Sequence, residues 1–131
     1  MDTTASRGVN RWARVVAVVA GIVFVGGGLW AMAAPESFFD VLGPFPPYNQ
    51  HFIQDVGAFQ IGLGAVLLIA AFAPHADVLA AALLGVGIGS VAHAVSHVLG
   101  IELGGWPALD IPVLTALAVV LLVAGVVRWR A

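Results

Sequence analysis

The chain contains no cysteine. That single absence removes disulfides, thiolate metal sites and cysteine nucleophiles together. Charge is nearly as scarce: Asp, Glu, Lys and Arg make up 9 % of 131 residues, and the net charge is −2. A water-soluble domain of this length carries far more. With no basic patch or run, the composition gives no footing for a nucleic-acid partner. What is present is apolar, 61 % of residues, with a mean hydropathy of +1.04. The solvent this composition implies is a lipid bilayer, and the length suits one domain.

A helix needs about 20 apolar residues to cross a hydrocarbon core of about 30 Å. Four runs meet that length: Val15 to Ala34, Phe52 to Pro74, Val78 to Leu99, and Leu109 to Trp129. Strands exposed to lipid would leave backbone groups unpaired, so the runs are helices. The fold class is therefore all-α, an integral membrane four-helix bundle. It forms a single domain over residues 1–131, with spans near 15–34, 52–74, 78–99 and 109–129.

Orientation follows from the arginines. Arg7, Arg11 and Arg14 precede the first span, and Arg128 and Arg130 follow the fourth. The first and third loops have no basic residue but contain Glu36, Asp40 and Glu102. By the positive-inside rule both termini are cytoplasmic, as an even number of spans requires. The expectation is a multi-pass protein of the cell membrane. A competing reading takes the N-terminal arginines, the first apolar run and Ala31-Met32-Ala33 as a cleaved secretory signal. Val15 to Ala31 is long for such a segment, and a four-span bundle already accounts for the C-terminal arginines.

Glycines recur within the spans. Gly85-Val86-Gly87-Ile88-Gly89 lacks the preceding strand and following Lys and hydroxyl residue of a nucleotide loop. Small residues four apart, such as Gly85 and Gly89, instead predict close helix packing in lipid. In the first loop, Ser37 is expected to cap a short turn carrying Phe38, Phe39, Val41 and Leu42 at headgroup level. Gly43-Pro44 ends that turn, and Pro46-Pro47 stiffens the return. Trp30, Tyr48, Trp106 and Trp129 fit an interfacial belt.

The topology then gathers the ionisable residues. His51 and Asp55 start the second span, His93 and His97 end the third, and Asp110 starts the fourth. All fall in one outer slice roughly 10 Å deep at about 1.5 Å per residue. His51 and Asp55 are four apart, as are His93 and His97, so each pair shares a helix face. Gly62 and Gly89 share those faces and are expected to turn them toward protein. Asp55, one turn into a span, is costly to bury alone, and His93 or His97 is the partner expected for it.

Three readings of this cluster stand open. His51, Asp55, His93, His97 and Asp110 could ligate a transition metal, since histidine and carboxylate suit zinc, iron or copper. The same groups could form a protonatable pocket for a quinone-like or other small ligand. Or they could be a structural network fixing helix register. Elsewhere the structural reading prevails: Gln60 hydrogen-bonds between helices, Glu36, Asp40 and Glu102 lie at headgroup level, and His75 and Asp77 cap the tight inner turn.

The segment Tyr48-Asn49-Gln50-His51-Phe52-Ile53-Gln54-Asp55-Val56-Gly57-Ala58 resembles a segment of small four-span actinobacterial membrane proteins, loosely similar to the DoxX-like superfamily. The His93–His97 pair resembles a histidine pair in the third helix of that group. The likeness covers about Pro35 to Asp110 and implies a redox-associated membrane subunit. Gln54 and Gln50 stand where the group has arginine and glutamate, which removes any ion pair those residues would make. Two alternatives of other classes remain. One is a non-catalytic scaffold or accessory subunit with a membrane or extracytoplasmic protein partner. The other is a small proton-coupled exporter working as a homo-oligomer.

Overall fold

A computed structural model describes residues 3–131, with side chains from Arg11 onward except that of Ala76. The side chain of Arg7 lies outside the described residues. Five helices follow one another: α1 (Thr3–Ala33), α2 (Pro35–Leu42), α3 (Gln50–Phe72), α4 (Ala76–Leu99) and α5 (Pro107–Trp129). No strand occurs among the described residues. Arg11–Ala33, Gln50–Phe72, Asp77–Leu99 and Pro107–Trp129 are each 23 residues long and strongly apolar. At about 1.5 Å per residue each is long enough to cross a bilayer. The architecture is thus the all-helical bundle that the hydropathy pattern predicts.

Between 22 and 39 % of each apolar segment is buried inside the chain, so most of its surface needs an apolar solvent or another protein. Ile22, Val23, Phe59, Ile69 and Phe72 are all more than half exposed. In water such a surface would drive aggregation; in lipid it is the ordinary exterior.

Glycine decides which helices pair. α1 and α3 run antiparallel with backbones in near contact. A Cβ at Gly28 would stand 2.5 Å from the Gly57 carbonyl oxygen, and one at Gly64 would stand 2.7 Å from that of Gly21. α4 and α5 form a second antiparallel pair, with Gly87 under Leu122 and Gly125 under Leu84. Small residues give this closeness because lipid supplies no hydrophobic force between helices. The pairs meet in a core that includes Ala17, Leu67, Leu79, Leu83 and Leu121. That core lies toward the end where the tight α3–α4 turn and the arginines sit. There the Arg14 guanidinium donates to the carbonyls of Ala71 and of Ala73, the latter at 3.2 Å. It thereby satisfies acceptors that the end of α3 leaves open.

The opposite, loop end is assembled differently. Phe38 of α2 packs with Ala31 and Ile53, its ring edge-on to Trp30 at 5.6 Å. The short helix expected here is present, but Ser37 does not cap it. The N-cap is Ala34, without a side-chain bond; the Ser37 hydroxyl instead accepts from Trp30 Nε1 at 3.3 Å. At the other turn His75 is the N-cap of α4 and likewise makes no side-chain cap bond. The loops at this end are stitched together: Gly105 N–H donates to Pro44 O at 3.1 Å, and Trp106 Nε1 to Val41 O at 3.2 Å. Gly105 adopts φ +77°, a region that glycine enters without strain.

Candidate functional site

The five candidate residues all fall at the loop end, but in two groups on different helix pairs. On α3, Asn49 caps the helix by accepting from Phe52 N–H at 3.1 Å. One turn on, His51 Nε2 faces Asp55 Oδ2 at 3.4 Å. Their side chains are 87 % and 57 % exposed, so they form a surface pair. Asp55 therefore finds its ion-pair partner on its own helix, and not in His93 or His97 as the sequence suggests. The reason is the helix pairing. The α1–α3 contact fixes the rotation of α3, and Gln54 donates to Met32 O at 3.3 Å, reinforcing it.

The second group is a chain of three side chains on α4 and α5. Asp110 Oδ2 lies 3.5 Å from His97 Nδ1, with both side chains largely covered at 13 and 15 % exposure. His97 Nε2 lies 3.2 Å from His93 Nε2. His93 itself is exposed. Asp110 is held in place because Oδ2 also accepts the Trp106 backbone N–H at 2.7 Å. Phe45 of the first loop stands edge-on to His97 at 5.3 Å. A Cβ on Gly105 would come within 2.6 Å of the Phe45 ring and 2.9 Å of Asp110 Oδ2, so glycine lets the loop close over the site.

These positions constrain the protons. A carboxylate beside His97 Nδ1 favours the proton on that nitrogen, which leaves the Nε2 lone pair aimed at His93. At 3.2 Å the two Nε2 atoms face each other either as a neutral N–H···N hydrogen bond, with His93 donating, or as two lone pairs that could share a metal ion. The Asp110 carboxylate stands behind His97 and orients its ring through Nδ1. Among the described residues, no three His, Asp or Glu side chains converge closely enough to hold a metal. His51 and Asp55 are separate from the His93–His97 pair, and Asp110 stands behind His97.

Several contributors carry no signal in the sequence. Phe45 and Trp106 shape the site from loops, and only the adjacent Gly104-Gly105 marks a turn that could bring them in. Two small-residue expectations also change. Gly62, Gly85 and Gly89 face outward, and a Cβ on any of them would meet nothing within 4 Å. Gln60 lies over Gly27, with its Oε1 2.8 Å from where a Cβ would be.

No protein-family model, curated protein or solved structure matches this chain. Function is therefore argued from the geometry of the site.

Proposed function

We propose that this chain is a multi-pass membrane protein that binds a transition-metal ion through His93 and His97 on its extracytoplasmic side, with Asp110 as the orienting carboxylate. The observation that carries this reading is the 3.2 Å separation of the two Nε2 atoms. Two nitrogens on a tetrahedral zinc, each about 2.0–2.1 Å from the metal, stand about 3.3–3.4 Å apart. The pair is already spaced as a chelate. A carboxylate on the far nitrogen of a ligating histidine is the usual outer-shell arrangement and raises the basicity of the ligand. Nitrogen ligands without thiolate favour zinc or copper over magnesium or calcium.

In this reading His51 and Asp55 are a headgroup-level pair and not ligands. The extracytoplasmic placement rests on the arginines, which all lie at the other end. The kinship of Tyr48–Ala58 with DoxX-like membrane proteins belongs to the same proposal and adds the expectation of a redox-associated subunit.

The test is direct. Purified protein in lipid nanodiscs is exposed separately to Zn(II) and Cu(II), desalted, and assayed for metal. Retention in stoichiometric amount by the wild type, lost in the His93→Ala/His97→Ala double variant, is the expected result. A wild type that retains no metal, or a double variant that retains as much, refutes the proposal.

A further inference from the structure

We infer that the His93–His97 pair is half of a metal site, and that a second copy of this chain, packed along α4, completes it. The inference rests on the imidazole reading above and adds the source of the missing ligands. One chain offers two nitrogens, whereas a structural tetrahedral ion takes four ligands. No further His, Asp or Glu of the described residues joins them. Asp110 serves His97 from behind, through Nδ1.

The open side of the site is the exposed side of α4. Ala81, Gly85, Gly89 and His93 are spaced four apart and are all exposed, so His93 ends a row of small residues. Within the chain, glycines such as Gly28, Gly57, Gly87 and Gly125 each sit against a neighbouring helix. Gly85 and Gly89 have the same spacing as a close-packing motif and nothing against them.

Symmetry and charge favour a second copy as the occupant. Two copies inserted the same way carry their imidazole pairs at the same depth. A two-fold axis along the membrane normal beside Gly85 and Gly89 places the two pairs on the same side of the crossing, about two to three turns further on. At a crossing of about 40° centred between Gly85 and Gly89, and at about 1.5 Å per residue, the helix axes part sideways by about 6 Å at His93 and about 10 Å at His97. Imidazoles reaching inward from both helices can span that gap. One divalent ion would then be neutralised by two Asp110 carboxylates, which matters in a medium where uncompensated charge is costly.

The absence of cysteine makes the test clean. Gly85→Cys, at a position with free space, should form an interchain disulfide when nanodisc-embedded protein is treated with diamide. Val66→Cys, on the exposed face of α3, should not. Native mass spectrometry of the Gly85→Cys dimer loaded with Zn(II) should show one ion per two chains, lost when His93→Ala and His97→Ala are added. Gly89→Leu, at a position where an added Cβ meets nothing within 4 Å, should keep the monomer folded yet weaken Zn(II) binding at least 100-fold. One ion per monomeric chain, unaffected by Gly89→Leu, overturns the shared site while leaving the imidazole reading intact. No ion on either monomer or dimer overturns both. A disulfide-linked dimer without metal overturns the four-imidazole site.

Discussion

Replacing Gly28 with alanine inserts one methyl group into the closest backbone approach of α1 to α3. The new Cβ would stand 2.5 Å from the Gly57 carbonyl oxygen and 2.9 Å from the Ile61 backbone nitrogen. Ordinary heavy-atom contact is about 1 Å longer. Both neighbours are backbone, so neither can rotate away, and α1 and α3 must part. Gly26→Ala, two residues earlier on the same helix, meets nothing within 4 Å. Both variants gain the same helix propensity, about 1 kcal/mol, so their difference isolates the steric effect. Overpacking against backbone should cost about 2–3 kcal/mol. Near 3–5 °C per kcal/mol for a chain of this size, the midpoints should differ by roughly 6–15 °C. Thermal unfolding in detergent, followed by far-ultraviolet circular dichroism, reads the gap. Gly57→Ala should behave like Gly28→Ala, and the double variant should cost less than the sum, because both methyls press on one contact. A gap between Gly28→Ala and Gly26→Ala below about 0.5 kcal/mol would refute the α1–α3 packing described here.

Three further outcomes follow from the same geometry. Asp110→Asn keeps an acceptor for the Trp106 N–H but removes the counter-charge behind His97, and should weaken Zn(II) binding about 10–100-fold in a competition titration. Gly105→Ala combines a φ of +77° with a Cβ 2.6 Å from the Phe45 ring, and should lower stability by about 2–4 kcal/mol; an unchanged unfolding midpoint would contradict the loop closure. Single cysteines at Ser37 and Glu102 should react with a membrane-impermeant maleimide added outside intact cells, whereas one at Ala131 should react only after lysis; the reverse pattern would invert the proposed orientation.

Much of the fold is legible in the sequence because a bilayer imposes a length. The runs from Phe52, Val78 and Leu109 appear as helices with ends shifted by two residues or fewer, whereas the helix holding the run from Val15 begins 12 residues earlier, at Thr3. Hydropathy is silent on rotation about the helix axis, and rotation decides the site. Gly26 and Gly28 look alike in sequence, yet one faces open space and the other touches α3. The same ambiguity governs Asp55. Its depth matches that of His93 and His97, but the rotation of α3 leaves it paired with His51. Asp110 and His97 do meet, because the short loop after α4 returns α5 directly beside it. Ser37 carries the signature of a helix cap, but the Trp30 indole one helix away is the stronger competitor for its hydroxyl.

The loop-end histidines divide by helix, His51 on α3 and His93 with His97 on α4, and the proposed metal ion belongs to the α4 pair alone. Zn(II) titration of nanodisc-embedded His51→Ala and His97→Ala, beside the wild type, separates the two sets of histidines. His51→Ala should bind as the wild type does, and His97→Ala should lose at least 100-fold in affinity. Equal losses in both, or a loss confined to His51→Ala, would contradict the account.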